Sequence, residues 1–108
     1  MNKAILIGNL IADPETRTNG ESTKFTSFSI AVNAIKKDTP AFFIRVSTIG
    51  NIADACEKYL KKGSKVCVEG RLKNRSWTTQ AGEKRHSTEL DAERVEFLSA
   101  RKDTEQTN

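Results

Sequence analysis

An all-β fold with a single inserted helix is the class this sequence predicts, on three grounds. Five stretches read as strands, either by two-residue alternation of apolar and polar side chains or by density of β-branched and aromatic residues. Only the stretch after Gly50 shifts to the helical period of about 3.6 residues. Turn-forming residues punctuate the changes between them. With 108 residues, 36% of them apolar and 30% charged, the chain has room for one core and not for two domains.

The first strand spans Lys3 to Leu10. Ala4 and Leu6 share one of its faces and Ile5 and Ile7 the other, so both sides are apolar. A barrel strand needs only one buried face, so something must cover Ile5 and Ile7: the helix of the same chain or, the reading preferred here, a second subunit. Asp13, Pro14, Asn19 and Gly20 then mark a loop, with Asn19-Gly20 as the strongest turn signal. From Lys24 to Asn33, Phe28, Ile30 and Val32 alternate with Ser27, Ser29, Ala31 and Asn33, the pattern of a half-buried strand. A polar connection, Lys36 to Pro40, leads to a third strand from Ala41 to Ile49, which Gly50 ends.

In the helix, Ile52, Ala55, Cys56, Tyr59 and Leu60 form one apolar stripe. Asn51 is expected as its N-cap, Lys61 and Lys62 suit the negative end of its dipole, and Gly63 is placed to stop it in the left-handed conformation. Lys65 to Thr79 returns to period two, Gly82 turns the chain within Gln80 to Lys84, and Arg85 to Leu98 is the last extended run. The polar residues 99–108 read as a short disordered tail after a 1–98 domain. The order β-β-β-α-β-β is that of the five-stranded OB-fold Greek-key barrel, with the helix between strands three and four.

Several functions are not expected. Cys56 and Cys67 have neither a disulfide framework nor a metal-ligand spacing and read as two buried thiols, and His86 has no partner for a zinc site. There is no Gly-x-x-x-x-Gly-Lys loop, no Gly-x-Ser-x-Gly and no His-Glu-x-x-His, so neither an enzyme nor a cofactor is expected. Glu89, Asp91 and Glu93 alternate along one strand face, which fits a solvated surface or pairing with a basic neighbour better than a metal site. No run approaches the length of a spanning helix, and Met1 to Gly8 is too short for a secretory signal, so a cytoplasmic, nucleoid-associated protein is expected.

The charge is uneven. Of a net +4, residues 61–85 hold eight cations against two carboxylates, whereas residues 86–108 are acidic. An anionic partner is the natural inference, with an ordinary solvated basic face as the alternative. Strand parity sharpens it. In the fourth strand Val66, Val68, Gly70 and Leu72 make the core side, so Cys67, Glu69, Arg71, Lys73, Arg75 and Trp77 project outward. In the third, Phe42, Ile44 and Val46 point one way and Phe43, Arg45, Ser47 and Ile49 the other. Exposed aromatics stack on unpaired bases for about 1–3 kcal/mol each while cations hold the phosphates, so this interleaving suits a single strand. Against it stand a bulge that turns Phe43 inward, a Trp77 packed under the hairpin, and a basic row that merely guards a sheet edge.

Several ordered segments resemble the bacterial single-stranded DNA-binding proteins over roughly residues 2–98. They are Asn2-Lys3-Ala4-Ile5-Leu6-Ile7-Gly8-Asn9-Leu10, Asp13-Pro14-Glu15-Thr16-Arg17, Asn19-Gly20, Tyr59-Leu60-Lys61-Lys62-Gly63-Ser64-Lys65-Val66, Glu69-Gly70-Arg71-Leu72 and Trp77-Thr78. The resemblance implies an OB-fold homo-oligomer, usually a tetramer, that coats single-stranded DNA in replication, recombination and repair without catalysis. It implies DNA contacts at Lys3, Phe43, Arg45, Lys62, Lys73, Arg75 and Trp77. Lys3 and Lys62 rest on similarity alone, and Arg71 on the shared face alone. The sequence departs from the family's pattern where a tryptophan often follows the second strand, here Ile35-Lys36-Lys37, and where an aromatic often ends the third, here Ile49. Typical members also end in an acidic tip that recruits replication proteins; with Glu105-Gln106-Thr107-Asn108 in its place, such recruitment is not expected. The rival readings are a dimeric bridging protein like the primosomal replication protein, and an RNA-binding OB module.

Overall fold

Alternating burial builds six strands and one helix in the computed structural model, which describes residues 1–20, 22–33 and 38–98. They are β1 (Ala4–Leu10), β2 (Glu15–Thr18), β3 (Lys24–Val32), β4 (Phe42–Ile49), α1 (Asn51–Tyr59), β5 (Lys65–Thr78) and β6 (Lys84–Phe97). Five strands close a ring in the order β1-β5-β6-β4-β3, with β3 returning to β1 through Asn9–Ala31 and Leu10–Ile30. All pairings are antiparallel except β4 with β6. This is the expected barrel, with a short extra strand. The segment read as loop after Asp13 forms β2, which pairs with Lys24 to Ser27, so α1 follows the fourth strand rather than the third. Asn19 makes the turn of that hairpin: its carbonyl accepts from the Ser22 N–H at 3.0 Å and its Oδ1 from the Thr23 N–H at 3.2 Å.

The core is the inward face of this ring. Phe28, Ile30, Ile44, Val46, Val66, Val68 and Leu90 meet there, with Cys56 and Leu60 closing it from the helix side. The two buried threonines are satisfied: Thr48 Oγ1 donates to the Thr26 carbonyl at 2.6 Å, and the Thr26 and Thr16 hydroxyls bond at 2.9 Å. Closure brings backbones very near each other at Gly70, where any β-carbon would run into the backbone of Asp91 and Ala92. At that point β6 carries one residue more than β5: Glu69 pairs with Arg94 but Gly70 with Ala92. The bulge reverses parity along β6, so Leu90 and Ala92 before it, and Val95 and Phe97 after it, all pack on the core.

The helix differs in detail from the expected one. Its N-cap is Gly50, at φ +72°, a conformation that disfavours any β-carbon, so Asn51 is the first helical residue. It ends at Tyr59 because Leu60 turns extended to enter the core; Gly63, at φ +91°, serves the following turn, where the Ser64 N–H donates to the Lys61 carbonyl at 3.0 Å. The buried helical residues are Ala53 and Cys56, whereas Tyr59 stays exposed beside the Phe97 ring at 5.9 Å. Lys24 of β3 clamps the helix through Asp54 and Glu57, both at 2.8 Å.

Two inward assignments and one expected burial fail, for one reason each. Leu72 is exposed because the pairing of β1 with β5 ends at Gly70, although its partner Leu90 on β6 is still in the core, and Phe42 is exposed at the free end of β4. Cys67 is only half-buried because it faces outward, opposite Ile7; Cys56 is buried, and burial pushes its thiol up to about 11. Ile5 and Ile7 are exposed, the helix packing instead on β2, β3 and β4. Among the described residues no helix is long and apolar enough to cross a membrane. The expected tail over 99–108, and Lys36 and Lys37 of the Lys36 to Pro40 connection, lie outside the described residues.

Candidate nucleic-acid interface

Outward residues of β4, β6 and β5 fall into rows across the sheet. Arg45 stands beside Glu89 and Glu89 beside Lys73; two residues further along β4, Ser47, Asp91 and Arg71 line up in the same way. Because side chains alternate, these rows share one face. The same face continues across β3 onto β2, where Ile49 pairs with Phe25 and Phe25 with Arg17. The result is a groove of about 700 Å³ lined by residues that include Arg17, Phe25, Arg45, Ile49, Lys73 and Arg75.

Its electrostatics are organised by one carboxylate. Glu89 is 3% exposed and lies between strands, with Oε2 3.6 Å from Arg75 and 4.0 Å from Arg45. Arg45 also donates to the Ser27 hydroxyl at 2.7 Å, which fixes its guanidinium against β3. Arg75 in turn lies over the Trp77 ring, 4.9 Å from its centroid, a cation–π contact that holds the indole while 40% of the residue stays exposed. Further down β5, Lys73 faces Asp91 at 3.9 Å and Arg71 faces Glu93 at 3.2 Å. The carboxylates Glu89, Asp91 and Glu93 therefore pair with the neighbouring basic strand, the arrangement the alternation favoured.

The sequence-predicted residues divide into two sets. Arg45, Lys73 and Arg75 line the groove; Phe43 and Trp77 continue its face toward the hairpin, two residues beyond Arg45 and Arg75; Arg71 sits at the opposite edge. Phe43 is 59% exposed, so no bulge turns it inward, and Trp77 is not packed beneath the hairpin. Lys3 and Lys62 stand apart. Lys3 pairs with Glu69 at 2.7 Å on the barrel's outer side, a contact that holds its ammonium above and the Glu69 carboxyl below their ordinary values. Lys62 belongs to the turn after α1, its N–H donating to Asp13 at 2.8 Å.

Arg17, Phe25 and the buried state of Glu89 escaped sequence reasoning. Phe25 was within reach, since extending the Phe28, Ile30, Val32 parity backward places it outward with Ser27 and Ser29. Arg17 was hidden by treating its segment as loop. The assembled surface offers flat rings, Phe25, Phe43 and Trp77, set among guanidinium and ammonium groups, and is suited to an anionic polymer with exposed rings.

Residues 1–98 match the Single-strand binding protein family. The chain is 43% identical to the single-stranded DNA-binding protein of Thermotoga maritima over 103 residues, covering 90% of this chain and 73% of that protein. It is 36% identical to single-stranded DNA-binding protein 1 of Xylella fastidiosa, covering 95% and 81% of the two, and 35% identical to the single-stranded DNA-binding protein of Staphylococcus aureus, covering 98% and 72%.

Proposed function

The chain belongs to the single-strand binding protein family and binds single-stranded DNA, and we propose that the groove across β2, β3, β4, β6 and β5 is where it does so. The family serves replication, recombination and repair and is a binding family, not a catalytic one; on this reading no catalytic step is involved. What supports the location is the shared face itself, which gathers Arg45, Lys73 and Arg75 with Phe43 and Trp77 from two strands that β6 separates. Guanidinium and ammonium groups neutralise phosphates, and bases stack on the rings; a duplex hides those base faces. Arg71 extends the contact along β5, and Lys3 and Lys62 join it only where a longer strand leaves the groove and wraps the subunit. Residues 1–98 constitute the DNA-binding domain.

Self-association completes the reading. Ile5 and Ile7 are 60% and 49% exposed on the outer side of β1, beside the half-buried Cys67, and the helix leaves them uncovered. A second copy of the chain covers them, and a tetramer is the assembly proposed; light scattering separates it from the dimer of a bridging protein. The test of the function uses the single tryptophan. Trp77 emission should be quenched on titration with oligo-dT and unchanged with a matched duplex at the same salt. An oligo-dT titration that reaches saturation by another readout with Trp77 emission unmoved removes this face from the DNA path.

A further inference from the structure

The four cations that β4 and β5 place in the proposed DNA path, Arg45, Arg71, Lys73 and Arg75, each have an anionic partner in the free protein. β6 runs between β4 and β5, and its carboxylates reach into the neighbouring basic rows: Glu89 to Arg45 and Arg75, Asp91 to Lys73, Glu93 to Arg71. Same-face residues on a strand recur about every 6.7 Å, a spacing comparable to that of successive phosphates on an extended polynucleotide. The three carboxylates are not equivalent. Glu89 is nearly sealed, with a 4% exposed side chain and an Oε2 that lacks a hydrogen bond and is compensated only by the two guanidinium groups. Asp91 and Glu93 are 39% and 50% exposed and free to swing away.

We propose that Asp91 and Glu93 act as internal substitutes for DNA phosphates, occupying Lys73 and Arg71 until the polynucleotide displaces them, while the buried Glu89 stays in place and positions Arg45 and Arg75. The proposal rests on the groove being the DNA site and adds what sets its affinity and release. Phosphates entering the rows must break the Asp91 and Glu93 pairs, which lowers affinity and speeds dissociation. Each displaced carboxylate recovers a counterion from solution, so fewer ions are released overall than the number of phosphate contacts implies. Both effects fade as salt screens the pairs.

The test compares the wild-type chain with Asp91→Asn, Glu93→Gln and the double variant, titrated with oligo-dT between about 50 and 300 mM salt, where counterion release is readable. The double variant should bind about fivefold tighter at the low end, from the loss of two exposed competing pairs. It should also dissociate more slowly, show a steeper fall of log K with log salt, and converge on wild type at the high end. Glu57→Gln, which removes the same charge beside Lys24 on α1 and outside the groove, should leave binding unchanged. Affinity that is unaltered or weaker in the double variant, or a Glu57→Gln effect as large, overturns the proposal. A wild-type chain that fails to bind oligo-dT would instead sink the assignment of function.

Discussion

Strand β5 passes through two environments. From Lys65 to Gly70 every second side chain is buried, Val66 and Val68 completely, against β1 on one side and β6 on the other. From Arg71 to Thr78 every residue is exposed, and only β6 accompanies it. In the first half, packing dictates residue type, since a buried position admits only what fits its volume. In the second half packing makes no such demand: Arg71, Lys73 and Arg75 are met by carboxylates of β6 rather than by a core, and Trp77 by the Arg75 guanidinium. Beyond Lys73, where β6 no longer pairs with β4, the two strands form an arm that gains little stability from large or charged side chains. On the proposed reading, a polyanion with flat rings is the partner that this row of cations and the indole meet.

The contrast can be broken hardest at the junction. Gly70→Ala forces a β-carbon into the Asp91 and Ala92 backbone where the ring closes. A loss of about 3 kcal/mol or more in urea or thermal unfolding is expected, and it falls on stability first, with DNA binding lost only through unfolding. A variant as stable as wild type would mean that the close approach at the bulge is not obligatory. Trp77→Ala is the converse. It should cost about 1–3 kcal/mol of oligo-dT affinity, the worth of one stacked base, and leave the melting temperature nearly unmoved. A large drop in melting temperature with unchanged affinity would make the indole a structural residue and unite the two halves of β5.

How much of this was legible in the sequence follows the same division. Period-two alternation at Val66 and Val68, and at Phe28, Ile30 and Val32, marks the barrel because burial imposes it. The outward faces of β4 and β5 were readable for the same reason, the inward residues fixing the parity of their neighbours. The alternation misled at Leu72, an apolar residue that continues the inward parity although β1 no longer flanks β5; parity carries no information about where a neighbouring strand stops. β2 left no signature because its four residues are all polar and none is fully buried. The bulge at Glu93 did leave one, the switch of the apolar residues from even Leu90 and Ala92 to odd Val95 and Phe97, which reading Arg85 to Leu98 as a single extended run passed over. The burial of Glu89 is a tertiary outcome: only once β6 lies between Arg45 and Arg75 does a carboxylate become both shielded and compensated.

The finest contrast lies within the exposed half, between the ring and the cation that lies over it. Arg75 touches both Glu89, at 3.6 Å, and the Trp77 ring, at 4.9 Å, so it links the electrostatic and the stacking parts of the groove. If its role is to neutralise one phosphate, Arg75→Ala should lower the slope of log K against log salt by about 0.7. If it only supports the indole, affinity should fall by a similar amount at every salt concentration and the slope should stay as it is. Titrations of Arg75→Ala and Trp77→Ala across the same salt series tell the two apart, because the tryptophan variant carries no charge change and must keep the wild-type slope. A parallel displacement of both variants would place Arg75 with the platform and leave Arg45 and Lys73 as the phosphate ligands of the groove; a flattened line for Arg75→Ala alone would give it the phosphate.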